Sequence, residues 1–123
     1  MGSDVRECLM SAIPVVTGTV RAKIDEMIRR IVEHERPEKI ILFGSRATGQ
    51  ARPDSDVDVM VVVRGEEDPR PIAVRLYRLL AGTGIPKDIM VVTTHEFETQ
   101  RRMPGTVVYA AAHEGQVLYE RPA

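Results

Sequence analysis

Apolar positions near the start of the chain recur at helical spacing. Val20, Ile24, Met27, Ile28, Ile31 and Val32 share one stripe, and Arg21, Lys23, Asp25, Glu26, Arg29 and Arg30 fill the positions between. That period predicts an amphipathic helix from about Thr19 to about Glu35, stopped ahead of Pro37, with its basic residues on a solvated face. The pattern then changes. Lys39–Phe43 is a short apolar run that reads as a buried strand closed by Gly44. Ser45 to Gly49 has room for one helical turn, and Arg52-Pro53-Asp54-Ser55 is turn chemistry. Asp56–Val63 alternates briefly and becomes continuously apolar, as a central strand does.

Asp68-Pro69-Arg70-Pro71 starts a second long helix, which carries Ile72, Leu76, Leu79 and Leu80 at helical spacing and ends at Gly82 and Gly84. Ile89–Val92 is a third apolar strand, preceded by Asp88. Thr93 and Glu96 have the spacing of a capping box for a short helix through about Gln100. Thr106–Glu114 reads as a final helix with Gly115 just past its end, and Gln116–Glu120 as a last edge strand. Connection lengths constrain the pairing. About a dozen residues join the first two strands, which fits an antiparallel pair; a full helix joins the second to the third, which fits a parallel crossover. The expected fold is α/β (α+β), a small mixed sheet flanked by helices. In that arrangement Gly44-Ser45, Asp56/Asp58 and Asp88 meet at one end of the sheet.

Length and charge narrow the function. The 123 residues suit one domain, 1–123, with a single core. A formal net charge of −1 argues against autonomous binding of DNA or RNA, which calls for a basic stripe. The single Cys8 has no internal disulfide partner, in keeping with a reducing, cytoplasmic setting. No apolar run approaches the roughly 18 residues of a membrane span, and the first residues lack the pattern of a secretory leader. His34, His95 and His113 have no ligand spacing, and Tyr77, Tyr109 and Tyr119 read as packing or interface groups.

The chemistry lies in the acids. Asp56 and Asp58, two apart in a strand, present both carboxylates on one face with Cα atoms roughly 6.5–7 Å apart. Carboxylates so placed can share divalent cations, and Mg²⁺ prefers a few carboxylates plus substrate phosphates. Asp88 supplies a third acid. Acidic side chains heading a buried strand are unfavourable unless paired or metal-bound. Gly44 lets the backbone turn tightly and a phosphate approach, and Ser45 offers a hydroxyl at the start of a short helix. Two other motifs fail. Gly44 to Gly49 has P-loop spacing, but Gln50 and Ala51 stand where Lys and Ser/Thr belong. Asp54-x-Asp56-x-Asp58 begins like a calcium loop, but Val59 and Gly65 replace its Gly and Glu.

Gly44-Ser45-Arg46-Ala47-Thr48-Gly49 followed by Asp54-Ser55-Asp56-Val57-Asp58 resembles the signature of the DNA-polymerase-beta-like nucleotidyltransferase superfamily. The small size is similar to its minimal, antitoxin-type branch, which pairs with HEPN-domain toxins. The signature spans about Lys39 to Val63. The resemblance implies a nucleotidyltransferase fold in which Asp56 and Asp58 hold Mg²⁺ (or Mn²⁺). Asp88 would hold the catalytic metal or orient the acceptor hydroxyl, and Gly44, Ser45 and Arg46 would contact ATP or another nucleoside triphosphate. The implied activity moves a nucleoside monophosphate, AMP from ATP, to a hydroxyl on a helical partner such as a cognate toxin. A non-catalytic antitoxin module and an antibiotic-type, small-molecule nucleotidyltransferase are the alternatives, and the oligomeric state stays open.

Overall fold

The computed structural model describes residues 19–65 and 68–122. Cys8 and the other residues before Thr19 lie outside them. Among the described residues, nine elements follow in order: α1 (Val20–Glu35), β1 (Lys39–Phe43), α2 (Ser45–Thr48), β2 (Val57–Val63), α3 (Arg70–Leu79), β3 (Lys87–Thr93), α4 (Thr94–Gln100), α5 (Val107–Glu114) and β4 (Gln116–Glu120).

The helix boundaries follow from local chemistry. The Thr19 side chain accepts from Ala22 N at 3.1 Å and opens α1; Arg36 closes it in the left-handed conformation, one residue before Pro37. Asp68 accepts from Arg70 N ahead of α3. Thr93 and Glu96 form the reciprocal capping box expected for α4. Thr106 caps α5 by accepting from Tyr109 N.

The sheet order is β3-β2-β1-β4. β1 pairs antiparallel with β2 and with β4, and β2 pairs parallel with β3. The mixed sheet, the antiparallel first pair and the parallel second pair are as the connection lengths predict. The two faces pack differently. On one, Val57, Val59, Val61, Ile40, Leu42 and Val91 meet Met27 and Ile31 of α1 and Leu76 of α3. On the other, Met60, Val62, Ile41 and Val92 meet Phe97 of α4 and Val108 and Ala111 of α5. Most of these side chains are completely buried, each contributing about 1.5–3 kcal/mol of hydrophobic stabilisation. Gly115 lets α5 dock closely: a Cβ there would overlap Ala111 O and sit 2.6 Å from Ile41 Cγ2 and 2.8 Å from Leu42 O.

One expectation about α1 needs correcting. Arg30 is not on the solvated face but is 6% exposed. Its Nε donates to Glu26 Oε2 at 2.7 Å and its Nη1 to Leu79 O at 3.3 Å, tying α1 to the end of α3. A guanidinium is tolerated in such a place because its charge is paired and its donors are used.

Candidate active site at the head of the sheet

Strand register brings the predicted acids together. Asp58 lies opposite Phe43 of β1 on one side and opposite Asp88 of β3 on the other. Paired residues of adjacent strands face the same way, so the two carboxylates leave one face from Cα atoms about 4.8 Å apart. That face also carries Met60 and Val62. Its lower part is covered by α4 and α5, while Phe43 and Met90 near the acids are only half-buried. The head of this face is therefore open. The two acids sit at element positions slightly different from those expected: β2 begins at Val57, which leaves Asp56 in the extended segment before it, and β3 begins at Lys87, which puts Asp88 inside the strand.

Gly44 closes the other side of the acids. Its φ of 74° and ψ of −157° are conformations that a residue with a side chain rarely adopts. A Cβ on Gly44 would overlap Asp58 Oδ2 and lie 3.2 Å from Asp58 Cγ. The chain turns directly over the Asp58 carboxylate and enters α2, whose closing residue Gly49 is also left-handed. Gln116 Nε2 donates to Ala47 O at 3.1 Å and ties α2 to the start of β4. The Ser45 hydroxyl makes no hydrogen bond with a described residue as donor or acceptor. It is half-buried and available to a ligand.

Arg46 makes contacts that the sequence does not suggest. Its Nε and Nη2 both donate to Ser55 O, at 3.1 and 2.8 Å, and Nη2 also reaches the carbonyls of Arg52 and Pro53 at 3.3 Å. In this structure Arg46 clamps the loop that delivers Asp56. The turn bond from Arg52 N to Ser55 Oγ at 2.7 Å completes the brace.

Electrostatically the head of the sheet is uncompensated. Among the described residues, Asp56, Asp58 and Asp88 have no ion-pair partner. Burial raises the Asp58 pKa above its ordinary value, and the like charges of Asp88 and then Asp56 raise it further. Lys87 lies next to Asp88 in the chain but offers no relief. It alternates to the opposite face, donates to Ile85 O at 3.1 Å, and has its own pKa lowered by burial.

The three acids do not form a finished metal cage. Among the described residues, no three His, Cys, Asp or Glu side chains are gathered closely enough to hold an ion by themselves. Asp56 lies just ahead of β2, and Asp88 accepts a hydrogen bond from a tyrosine of α3. The donor set still fits a hard divalent cation. It is all oxygen, and Mg²⁺ characteristically completes its shell with water and substrate phosphates rather than with protein alone.

Sequence reasoning missed Tyr77, an α3 residue read there only as a packing or interface group. Its hydroxyl donates to Asp88 Oδ1 at 3.1 Å and accepts from Ile89 N at 2.8 Å, hooking the phenol over the outer edge of β3. The contact depends on how α3 crosses the sheet, and the sequence carries no periodic trace of it. Of the histidines, the His34 ring nitrogen meets Arg30 O, and His113 stacks on Tyr109 with ring centroids 4.0 Å apart. Two clefts lie at the opposite end of the sheet. One of about 700 Å³ is lined by Val63, Arg64 and Arg75, and the other, of about 210 Å³, by Glu38, Lys39 and Phe97. Neither is lined by the acids.

A glycine turn over an aspartate, with further carboxylates in register on the next strand and just upstream, defines the class. Residues 25–123 match the family described as Polymerase beta, Nucleotidyltransferase. This chain belongs to that family. The fold also matches the crystal structure of a presumed nucleotidyltransferase from Sulfolobus solfataricus. The TM-score is 0.56 at 21% identity, covering 85% of this chain and 91% of that one. No curated protein matches the sequence. No helix among the described residues is long and apolar enough to cross a membrane.

Proposed function

We propose that this nucleotidyltransferase-family chain transfers AMP from ATP to a hydroxyl on a partner protein, and that Asp56, Asp58 and Asp88 carry the reaction. The observation that supports this reading most is the convergence of Gly44 and the three acids at one open end of the sheet, with no cation of the described chain beside them. Asp56 and Asp58 would hold Mg²⁺ or Mn²⁺. When bound, such a cation neutralises the triphosphate and the charge that develops at the α-phosphorus. Ser45 donates its hydroxyl to a phosphate oxygen. Arg46 keeps the loop before Asp56 in place. Asp88, at the outer strand, would join them in holding the cation, while the acceptor hydroxyl loses its proton to water as its oxygen attacks the α-phosphorus and pyrophosphate leaves.

The acceptor class follows from what surrounds the acids. An open head without a basic stripe is poorly suited to grip nucleic acid or to enclose a small molecule. A docked protein can present its own hydroxyl and raise its effective concentration there. A small helical toxin of the HEPN type, encoded beside this chain, is the partner we propose, with this chain as its cytoplasmic antitoxin.

The test incubates the chain with ATP, Mg²⁺ and the helical protein encoded next to it, alongside tRNA and an aminoglycoside as competing acceptors. Intact-mass spectrometry should show additions of about 329 Da, one AMP unit, on the partner alone. Neutralisation of the partner with no mass change, equally by the Asp56→Ala variant, would replace catalysis with simple binding.

A further inference from the structure

Among the described residues, Tyr77 is a side chain outside the family signature that hydrogen-bonds a candidate catalytic acid. Its oxygen is fixed from two directions. Ile89 N–H of the outer strand points into it at 2.8 Å, and its own proton is directed at Asp88 Oδ1 at 3.1 Å. The backbone bond determines where the phenol sits, so the phenol determines where one carboxylate oxygen sits. Asp88 needs such a guide. It lies on an edge strand, it is exposed, and its neighbour in register is another carboxylate that repels it. Without a donor, rotation about its side-chain bonds would carry it away from Asp58 and into solvent.

We infer that Tyr77 is a positioning residue: it binds Asp88 Oδ1 and thereby keeps Oδ2 free and turned for the metal–nucleotide complex. This rests on the nucleotidyl-transfer reading of the same acids. An ordinary tyrosine is a neutral phenol near pH 7, so it donates this bond without adding charge to a site that must accept a cation. A lysine in its place would compete with the metal. The phenol spans the sheet edge from α3, so any partner that shifts α3 relative to β3 would loosen Asp88 as well.

The test measures cation binding rather than turnover. Mn²⁺ is titrated into the protein with a non-cleavable ATP analogue, and binding is followed by the rise in melting temperature. Tyr77→Phe keeps the ring and removes only the hydroxyl. The half-saturating Mn²⁺ concentration should rise roughly tenfold or more, in line with the loss of a group that orients a metal-ligating side chain. In an Asp88→Ala background the same substitution should change it less than twofold, because the carboxylate it acts through is gone. Equal effects with and without Asp88, no effect of Tyr77→Phe, or failure of Tyr77→Phe to fold would each make Tyr77 a structural strut and overturn the inference. A wild-type chain that shows no Mn²⁺-dependent rise at all would remove the nucleotidyl-transfer reading and this inference together.

Discussion

Gly44→Ala separates backbone strain from carboxylate crowding at the centre of the site. The backbone of Gly44 is at φ 74° and ψ −157°, a region that costs a residue with a Cβ about 1–3 kcal/mol. The new methyl would also meet Asp58 Oδ2. That oxygen ends a short side chain, so the carboxylate turns aside at about 0.5–1.5 kcal/mol of rotamer strain rather than forcing the strands apart. The expected total is about 3 kcal/mol, a large fraction of the 5–15 kcal/mol that stabilises an ordinary domain. Urea unfolding of the metal-free chain measures it, read as a lower midpoint at unchanged slope. In the Asp58→Ala background the crowding disappears and only the backbone part should remain, which gives a coupling of about 1 kcal/mol. A coupling below about 0.3 kcal/mol would mean that Asp58 does not lie against Gly44 in solution. A total cost under about 0.5 kcal/mol would refute the strained turn itself. A second consequence is functional: with Asp58 displaced, Gly44→Ala should also lose the Mn²⁺-dependent rise in melting temperature.

Ser45→Ala should leave unfolding unchanged, since the hydroxyl bonds no described residue, and should weaken nucleotide binding by about 1–3 kcal/mol in calorimetry. Arg46→Ala removes the donors that hold the carbonyls of Arg52, Pro53 and Ser55. Amide exchange should quicken from about Ala51 to Val57 and stay slow in β1 and β2, and unchanged exchange in the loop would discard the clamp. Asp58→Asn should abolish transfer yet stabilise the metal-free chain at neutral pH. Burial and its acidic neighbours raise the Asp58 pKa when the chain folds, so the folded state binds the extra proton. Its unfavourable contribution is then absent below the ordinary value of 3.8 and grows as pH rises through the higher folded value. The advantage of Asn over Asp should therefore shrink on acidification, and an advantage independent of pH would contradict this origin.

The parts of the molecule that could be read in advance are those written in short-range patterns. Thr93 and Glu96 announce their capping box because both halves lie within one helical turn. The strands at Lys39–Phe43 and Val57–Val63 are legible as apolar runs bounded by turn residues, and the dozen residues between them already favour the antiparallel pairing observed. The convergence of Gly44, Asp58 and Asp88 follows once those strands are paired. What stayed hidden depends on packing angles between distant elements. Tyr77 sits just beside the buried Leu76, half exposed, and nothing in the α3 pattern says that its hydroxyl reaches over the edge of β3. Arg30 borders the apolar stripe of α1, and its burial reflects the approach of Leu79 from α3. Arg46 lies in a motif that suggests phosphate, yet the carbonyls of the Arg52–Ser55 turn fold back to within its reach.

Where the chain places its cations bears on why the acids are there. It has 17 basic residues for 18 acidic ones, so counter-charges are plentiful. At the end of the sheet away from the acids they are used: Glu38 pairs with Arg64 and Arg121, Lys39 with Glu120, and Glu35 with Arg75. At the head of the sheet Asp56, Asp58 and Asp88 have no ion-pair partner among the described residues. Repulsion of this kind opposes folding, and an asparagine or serine at Asp58 would remove much of it without altering the strand. A sequence otherwise consistent in its caps, turns and core departs from consistency at this one place. Such departures concentrate where a fold does chemistry, because a group tuned only for stability would be useless to a ligand. A positive charge brought by a ligand would relieve this repulsion, and in the nucleotidyl-transfer reading proposed above that charge is a cation carried by a triphosphate.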